Sequence, residues 1–264
     1  MTTLRDFGRL LFAVGIAVFG IQYLLYGRFV GGLAPVPPWT PGGAIGSYLV
    51  GISLIIIAIA IATQRRARFF ALLLGSFFLC CVLFLHLLHF SAVVTQGVDR
   101  TRALEPLAFA GAAFVLAGIF PRPATSSAWS SAAEFLIRIG RFIFSFTMVI
   151  FGVQHFQYAP FIAALIPAWI PGHLFWVYFT GIGFIAAAVA ISIKILGRTA
   201  AITLGLMFLL WFLVLHMPRV FADLRNGDEW SSAFVPLCLA GACFFIATTV
   251  SRPNLTLSGD FLSS

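Results

Sequence analysis

The sequence predicts an all-α polytopic membrane protein, with eight transmembrane helices arranged as two parallel-repeat four-helix bundles. Three observations lead to this prediction. The chain of 264 residues is 61% hydrophobic and 9% charged, with a mean hydropathy of +1.05, whereas about 25% of the residues in soluble domains are charged. Its apolar stretches are long enough to cross a membrane, and one pattern of residues occurs twice along the chain.

Apolar stretches of about 20 residues cross a hydrocarbon core about 30 Å thick as helices, which satisfy their own backbone hydrogen bonds. The predicted spans are residues 8–26, 46–63, 69–91, 104–120, 136–156, 174–193, 199–217 and 233–250. Runs such as "GISLIIIAIAIAT" do not alternate between apolar and polar residues, which excludes a transmembrane β-barrel.

The first span follows Arg5 and Arg9, a pattern that is also typical of a signal peptide. The fifth span decides between the two interpretations. Its sequence, "LIRIGRFIFSFTMVIFG", has the same layout as "LRDFGRLLFAVGIAVFG" in the first span. We therefore interpret the first span as a structural helix.

The chain matches itself at an offset of 132 through the first span and 130 beyond the following loop. The matched pairs include Gln22/Gln154, Trp39/Trp169, Gly51/Gly181, Gly75/Gly205, His86/His216, Gly97/Gly227, Pro106/Pro236 and Gly111/Gly241. Each half holds four spans, so both halves enter the membrane from the same side and have the same orientation. We predict two repeats, residues 1–123 and 124–264.

Orientation follows from the distribution of basic residues, since cytoplasmic loops carry an excess of them. One face carries Arg5, Arg9, Arg65, Arg66, Arg68, Arg122, Arg138, Arg141, Lys194, Arg198 and Arg252, and five arginines lie at the other. We expect both termini to be cytoplasmic and the protein to lie in the cell membrane, the bacterial inner membrane. The basic face would meet anionic lipid headgroups, and nucleic-acid binding is not expected.

The polar residues that could form a site gather at the predicted outer ends of the helices. Gln22 and Gln154 lie in the repeated phrases "FGIQYLLYGRF" and "FGVQHFQYAPF", and the latter also holds His155. His86 and His216 end the third and seventh spans. Counting 1.5 Å per residue from Arg68 puts His86 near the outer interface.

Two metal-based interpretations of these histidines are weak. His86 and His89 are three residues apart and share a helix face, but no third ligand accompanies them. A b-type haem held by His86 and His216 fits the twofold relation of the halves, although Arg219 matches His89, and the absence of CxxCH excludes a c-type haem. The sequence also lacks a catalytic triad, a P-loop and a GxGxxG turn, so no catalytic residue and no metal site is predicted.

Structural roles are the simpler alternative for several candidates. Trp39 and Trp169 would serve as interfacial anchors. In "HMPRVFADLRNGDEWSSAF", which begins at His216, Pro218 is expected to end the seventh helix and Ser231 or Ser232 to cap the eighth. The charged residues of this segment could pair with one another, or Arg219 could hold an anion beside His216.

The stretch "FGVQHFQYAPFIAALIPAWIPGHLFWVYFTGIG", followed by the helix ending "LVLHMPRV", resembles the DoxX-like membrane proteins. The first half follows the same plan but has Tyr23 in place of His155, and Leu88–His89 in place of Pro218–Arg219. The resemblance implies four-helix units. It also implies membership of redox complexes, since the family includes the quinone-linked subunit of a thiosulfate oxidoreductase.

We therefore expect a DoxX-like membrane subunit that binds an apolar, quinone-like or lipid-like molecule near the outer face. Hydrogen bonds would come from Gln22, Gln154, His155, His86 and His216, with Arg219 beside them, and Trp39, Trp169 and Tyr178 would line the apolar part. Its partners would be membrane lipids and the proteins of a redox complex. The alternatives are a non-catalytic scaffold subunit and, third, a transporter of small solutes or lipids.

Overall fold

The computed structural model describes residues 2–29, 43–87, 90–122 and 128–250, and every regular element in these ranges is a helix. In chain order the elements are α1 (Thr2–Tyr26), α2 (Gly43–Ala62), α3 (Ala67–Cys81), a first π-helix (Val82–His86), α4 (Phe90–Thr95), α5 (Gly97–Ile119), α6 (Ala128–Gln157), α7 (Ala159–Ala164), α8 (His173–Ile193), α9 (Gly197–Trp211), a second π-helix (Phe212–His216), α10 (Met217–Ala222) and α11 (Gly227–Ile246).

Within the described part of the chain, eight helices are long and apolar enough to cross a membrane. Six are α1, α2, α5, α6, α8 and α11. The other two are composite: α3 continues through the first π-helix, and α9 continues through the second π-helix and α10. This confirms the prediction of an all-α chain with eight apolar helices, and it fits a multi-pass membrane protein.

The helices extend further into polar sequence than the apolar stretches predict. The eighth helix begins at Gly227 rather than at residue 233, because Asn226 caps it and accepts from the backbone N–H groups of Asp228 (3.0 Å) and Glu229 (3.4 Å). The expectation that Ser231 or Ser232 caps this helix was wrong. The cap lies a full turn earlier, where an Asn side chain can satisfy the first backbone donors.

The seventh helix also continues beyond the proline that was expected to end it. Pro218 lies in the first turn of α10, and the helix ends only at Ala222. Within this composite helix, Pro218 lacks the N–H of one backbone hydrogen bond, and an irregular turn beside a proline can accommodate that loss. The second π-helix lies directly before this turn and changes the helical register.

Two pairs of glycines bring helices from different halves of the chain into close contact. A Cβ added to Gly8 of α1 would lie 2.5 Å from the carbonyl oxygen of Gly241 in α11. A Cβ added to Gly140 of α6 would lie 2.8 Å from the carbonyl oxygen of Gly111 in α5. Helices approach this closely only where neither carries a side chain. Thus α1 packs against α11, and α6 packs against α5.

Contacts within each half complete the bundle. The close contact of Gly20 with Gly51 joins α1 to α2, and that of Gly152 with Gly181 joins α6 to α8. In the first half, Phe109 of α5 packs against Phe12 and Phe19 of α1 and against Phe78 of α3, with ring centroids 5.4–6.4 Å apart. One continuous core therefore includes residues of both halves, and α5 and α11 are its most buried long helices.

Candidate functional site: the polar rim

We define the polar rim as the end of the bundle that holds Gln22, Gln154, His86, His155 and His216. The two glutamines make corresponding contacts there. Gln22 is buried, donates to the carbonyl of Gly227 (2.9 Å) and accepts from Ser231 (3.3 Å). Its amide therefore joins α1 to the first turn of α11.

Gln154 makes the corresponding contacts between α6 and α5. It is buried, donates to the carbonyl of Gly97 (3.2 Å) and shares a hydrogen bond with the hydroxyl of Thr101 (3.1 Å). Both glutamines are predicted from the sequence to bind a ligand. In the structure, each uses its amide to hold two helices together. A buried polar group is stable in lipid when its hydrogen bonds are made within the protein.

The two π-helices are the most unusual backbone feature of the rim. "VLFLH" and "FLVLH" have π geometry, are separated by 130 residues in sequence, and end at His86 and His216. Single π turns inside α-helices are rare and are often found at functional sites. His86 is buried, and His216 is half-buried.

A charged pair lies next to the second π-helix. Arg219, three residues after His216, donates through Nη2 to Oε1 of Glu229 at 2.8 Å. Among the described residues, the other oxygen of this carboxylate, Oε2, has no hydrogen-bond partner although it is buried, and the same is true of Nδ1 of His216. Buried polar atoms without partners are uncommon in folded proteins, and each needs an explanation.

An aromatic wall continues from this pair into the apolar part of the bundle. Trp230, the neighbour of Glu229, stacks on Phe234 with the ring centroids 5.8 Å apart. Phe212, the first residue of the second π-helix, meets the same Phe234 edge to face at 5.7 Å. These rings therefore belong to the same two elements, the second π-helix and α11, that carry the two orphaned atoms.

His155 belongs to a second group on the rim, between α6 and α8. Its Nδ1 lies 2.7 Å from the carbonyl oxygen of Phe151, and its ring lies 5.1 Å from that of Phe184. A carbonyl can only accept, so Nδ1 carries the proton, and Nε2 of the neutral ring remains an acceptor. Tyr178 stacks on Phe156 at 5.7 Å, so it lies beside this group.

Trp169 makes no ring contact with either group among the described residues. Trp169 is 73% exposed, as expected of a side chain that faces lipid or the interface. Trp39 and His89 lie outside the described residues. Within the described ranges, no cluster of three or more His, Cys, Asp or Glu side chains could hold a metal ion.

Sequence reasoning missed two carboxylates as candidates. Glu229 was interpreted as part of a paired loop, and its orphaned oxygen depends on a helix start that the apolar pattern placed too late. Glu105 is half-buried within α5 and makes none of the ion pairs found among the described residues, whereas its counterpart in the second half is Val235. A charged residue inside an apolar span is the signal that identifies such a position.

The described part of the chain is a bundle of helices, eight of which are long and apolar enough to span a membrane, with an asymmetric polar rim. A family model described as a domain of unknown function (DUF8561) matches residues 144–247. The matched region includes His155, His216, Arg219 and Glu229, so both groups on the rim of the second half lie within it. No curated protein and no solved structure matches the chain.

Proposed function

We propose that this protein is a DoxX-like membrane subunit that binds a quinone-like or lipid-like molecule at the polar rim. The site lies between the second π-helix, α10 and the start of α11. The subunit acts within a membrane redox complex. Its polar rim faces away from the cytoplasm, and both termini are cytoplasmic.

The proposal includes the duplicated architecture, two four-helix units in parallel orientation. Its support is the recurrence of contacts at matched positions. Gln22 bonds to α11 as Gln154 bonds to α5. The close approach of Gly8 to Gly241 corresponds to that of Gly140 to Gly111. Such matched contacts are expected when two copies of one unit are related by a twofold axis along the membrane normal.

The observation that carries the binding proposal is the pair of orphaned atoms on either side of Arg219. Arg219 follows His216 by three residues, which places both on one helix face, and it is bound to Glu229. Since Arg219 connects their two helices, we infer that the orphaned Nδ1 of His216 and Oε2 of Glu229 belong to one polar cluster. The aromatic wall of Trp230 and Phe234 supplies an apolar surface next to it.

These residues fit the chemistry of a quinone. The guanidinium of Arg219 donates, as a quinone carbonyl requires, and Oε2 of Glu229 accepts, as a quinol hydroxyl requires. Trp230 and Phe234 offer the flat apolar contact that suits a ring. When bound, a quinone would supply two-electron redox chemistry, while the chain would orient the head and exclude water from it.

Binding can be tested with decylubiquinone and the full chain in phosphatidylcholine nanodiscs. Quenching of tryptophan fluorescence would report binding, because Trp230 is part of the aromatic wall of the proposed site. We expect Glu229→Gln and His216→Leu each to weaken binding about tenfold, the effect of losing one hydrogen bond to a charged or buried partner. The matched control is Asp99→Asn, since Asp99 occupies the position of Glu229 in the first half, and it should leave the affinity unchanged.

Saturable binding that both variants leave unchanged would contradict the proposed site. An absence of any saturable binding by the wild-type chain would favour the scaffold alternative instead. One observation supports that alternative: Gln22, Gln154 and Tyr26 on the rim all make their hydrogen bonds to other helices or loops of the same chain. Thermal unfolding of each variant must accompany the titration, so that a loss of fold is not mistaken for a loss of binding.

A further inference from the structure

A second candidate site lies at the opposite end of the bundle, which we call the arginine end because it holds Arg9, Arg66, Arg68 and Arg122. A cleft of about 470 Å³ opens there between the start of α3 and the residues that follow α5. Its volume is within the range of about 300–1,000 Å³ that is usual for small-molecule sites. The proposed function assigns no role to this cleft.

The cleft is strongly basic. Arg66 and Arg68 line it, Arg65 precedes them in the chain, and Arg122 follows the lining residue Pro121. One carboxylate, that of Glu134, offsets these four guanidinium groups; it pairs with Arg68 and lies 3.7 Å from Arg122. An anion at the mouth of the cleft would therefore be attracted by an excess of positive charge.

Arg68 has a structural role in the wall of the cleft. Besides pairing with Glu134, it donates to the carbonyls of Ala117 (3.1 Å) and Phe120 (3.2 Å), which lie at the end of α5. Arg66, by contrast, is exposed and takes part in no ion pair within the described ranges. Its guanidinium remains available to a ligand.

The remaining walls are apolar. Phe69, Phe120 and Pro121 line the cleft beside the arginines, and Phe69 is 60% exposed. Leu73, one turn further along α3, is exposed as well, so an apolar strip leads from the cleft along the outer surface of the helix. A ligand that matches both parts carries an anionic head and an apolar tail.

We propose that this cleft binds an acidic phospholipid, with the phosphate at Arg66 and the acyl chains along Phe69 and α3. Basic pockets between transmembrane helices are known to hold anionic lipid headgroups. A free phosphate would match only the basic part of the cleft. This site is independent of the polar rim, so either proposal can fail without the other.

The second half of the chain provides a matched control. Gln64 and Arg66 have left-handed backbone conformations (φ 60° and 48°), and so do their counterparts Lys194 and Leu196 (φ 59° and 54°). A leucine, Leu196, already adopts the left-handed conformation at the position that corresponds to Arg66. Arg66→Leu should therefore not strain the backbone. Lys194→Gln removes the same charge from the same end of the bundle and leaves the cleft intact.

The experiment is native mass spectrometry of the full chain, titrated with phosphatidylglycerol. Arg66→Leu should reduce the affinity of the first bound phosphatidylglycerol about fivefold, the effect expected of one basic residue at a lipid headgroup. Lys194→Gln should leave it unchanged. Phosphatidylcholine and inorganic phosphate should bind to the wild-type chain more weakly than phosphatidylglycerol, because the first lacks the net negative charge and the second lacks the acyl chains.

Three results would overturn the proposal. Equal losses in Arg66→Leu and Lys194→Gln would mean that phosphatidylglycerol responds to the general surface charge. An unchanged affinity in Arg66→Leu would mean that the lipid does not use the cleft. Inorganic phosphate binding that matches phosphatidylglycerol and is lost with Arg66 would identify a free anion as the occupant.

Discussion

The two halves of the chain agree in the contacts that hold helices together and differ at the rim. Gln22 and Gln154 bond to matched positions, Gly227 and Gly97, on the neighbouring helix. The residues that follow them differ: Tyr23 is buried against Phe29, whereas His155 bonds to a backbone carbonyl and is half-buried.

The charged positions differ in the same way. Glu229, whose Oε2 has no hydrogen-bond partner among the described residues, corresponds to Asp99, and the apolar Val235 corresponds to Glu105. Helix packing depends on small residues and internal hydrogen bonds, and these are present in both halves. His86 and Asp99 correspond to His216 and Glu229, but no arginine in the first half corresponds to Arg219. This difference favours one site in the second half over two equal sites.

The largest effect is expected from breaking a contact that both halves share. Gly241→Val would drive a side chain into the backbone of α1, where the nearest atoms are the carbonyl oxygen of Gly8 (2.5 Å) and the nitrogen of Phe12 (2.6 Å). Backbone atoms cannot move aside as a side chain can, so the free energy of unfolding should fall by more than the roughly 1–3 kcal/mol of ordinary overpacking. Thermal unfolding in detergent would measure the loss.

Gly111→Val should have a comparable effect, since its nearest backbone atom is the carbonyl oxygen of Gly140 at 2.7 Å. Gly183→Ala is the control, because its added Cβ would meet only the Met207 sulfur, at 3.8 Å. A stable Gly241→Val beside an unstable Gly111→Val would show that the two interfaces are not equivalent.

A smaller effect is expected from the glutamines. Gln22→Leu removes the donor to Gly227, and Gln154→Leu removes the donor to Gly97. Each should lower the free energy of unfolding by about 0.6–2 kcal/mol, the range of contributions of hydrogen bonds between membrane helices. Gln157→Leu, which alters an exposed contact with Arg100, should change it little. The three variants are compared by thermal unfolding. If only one of Gln22→Leu and Gln154→Leu lowers the free energy of unfolding, the two glutamines do not share this role.

The smallest change in stability should come from making the halves more alike. His155→Tyr copies Tyr23. The His155 side chain packs against Gly181 of α8, as that of Tyr23 packs against Gly51 of α2. We expect the free energy of unfolding to change by less than about 1 kcal/mol. The affinity for decylubiquinone should stay the same, because the proposed site uses His216, Arg219 and Glu229. A weakened affinity in the titration would place His155 within the site.

The helical fold could be predicted from the sequence because the length of the apolar stretches is enough to indicate membrane-spanning helices. The seventh helix illustrates the limit. Pro218 is a valid stop signal in water, but the second π-helix precedes it and α10 accommodates it in its first turn. "VLFLH" and "FLVLH" are simply apolar runs, and no spacing of residues distinguishes π from α geometry there.

The candidate site was predictable only in part. His216 and Arg219 could be selected by residue type and position. The orphaned oxygen of Glu229 could not be predicted. It depends on the start of α11 at Gly227 and on the pairing of Arg219 with Glu229 rather than with another carboxylate of the segment. The sequence likewise shows that Gln22 and Gln154 are polar residues near helix ends. Only the three-dimensional contacts show that their amides are hydrogen-bonded to neighbouring helices.

The contact of α1 with α11 also affects how the chain is made. Gln22 and its acceptor Gly227 are separated by 205 positions, so during synthesis α1 enters the bilayer long before its partner exists. Until α11 emerges from the ribosome, the amide of Gln22 and the glycine face around Gly8 must be shielded by lipid, water or an insertase. Assembly of this bundle is therefore completed by a late pairing of helices that are distant in the sequence. A chain whose synthesis stops before α11 would leave the amide of Gln22 without its partner Gly227.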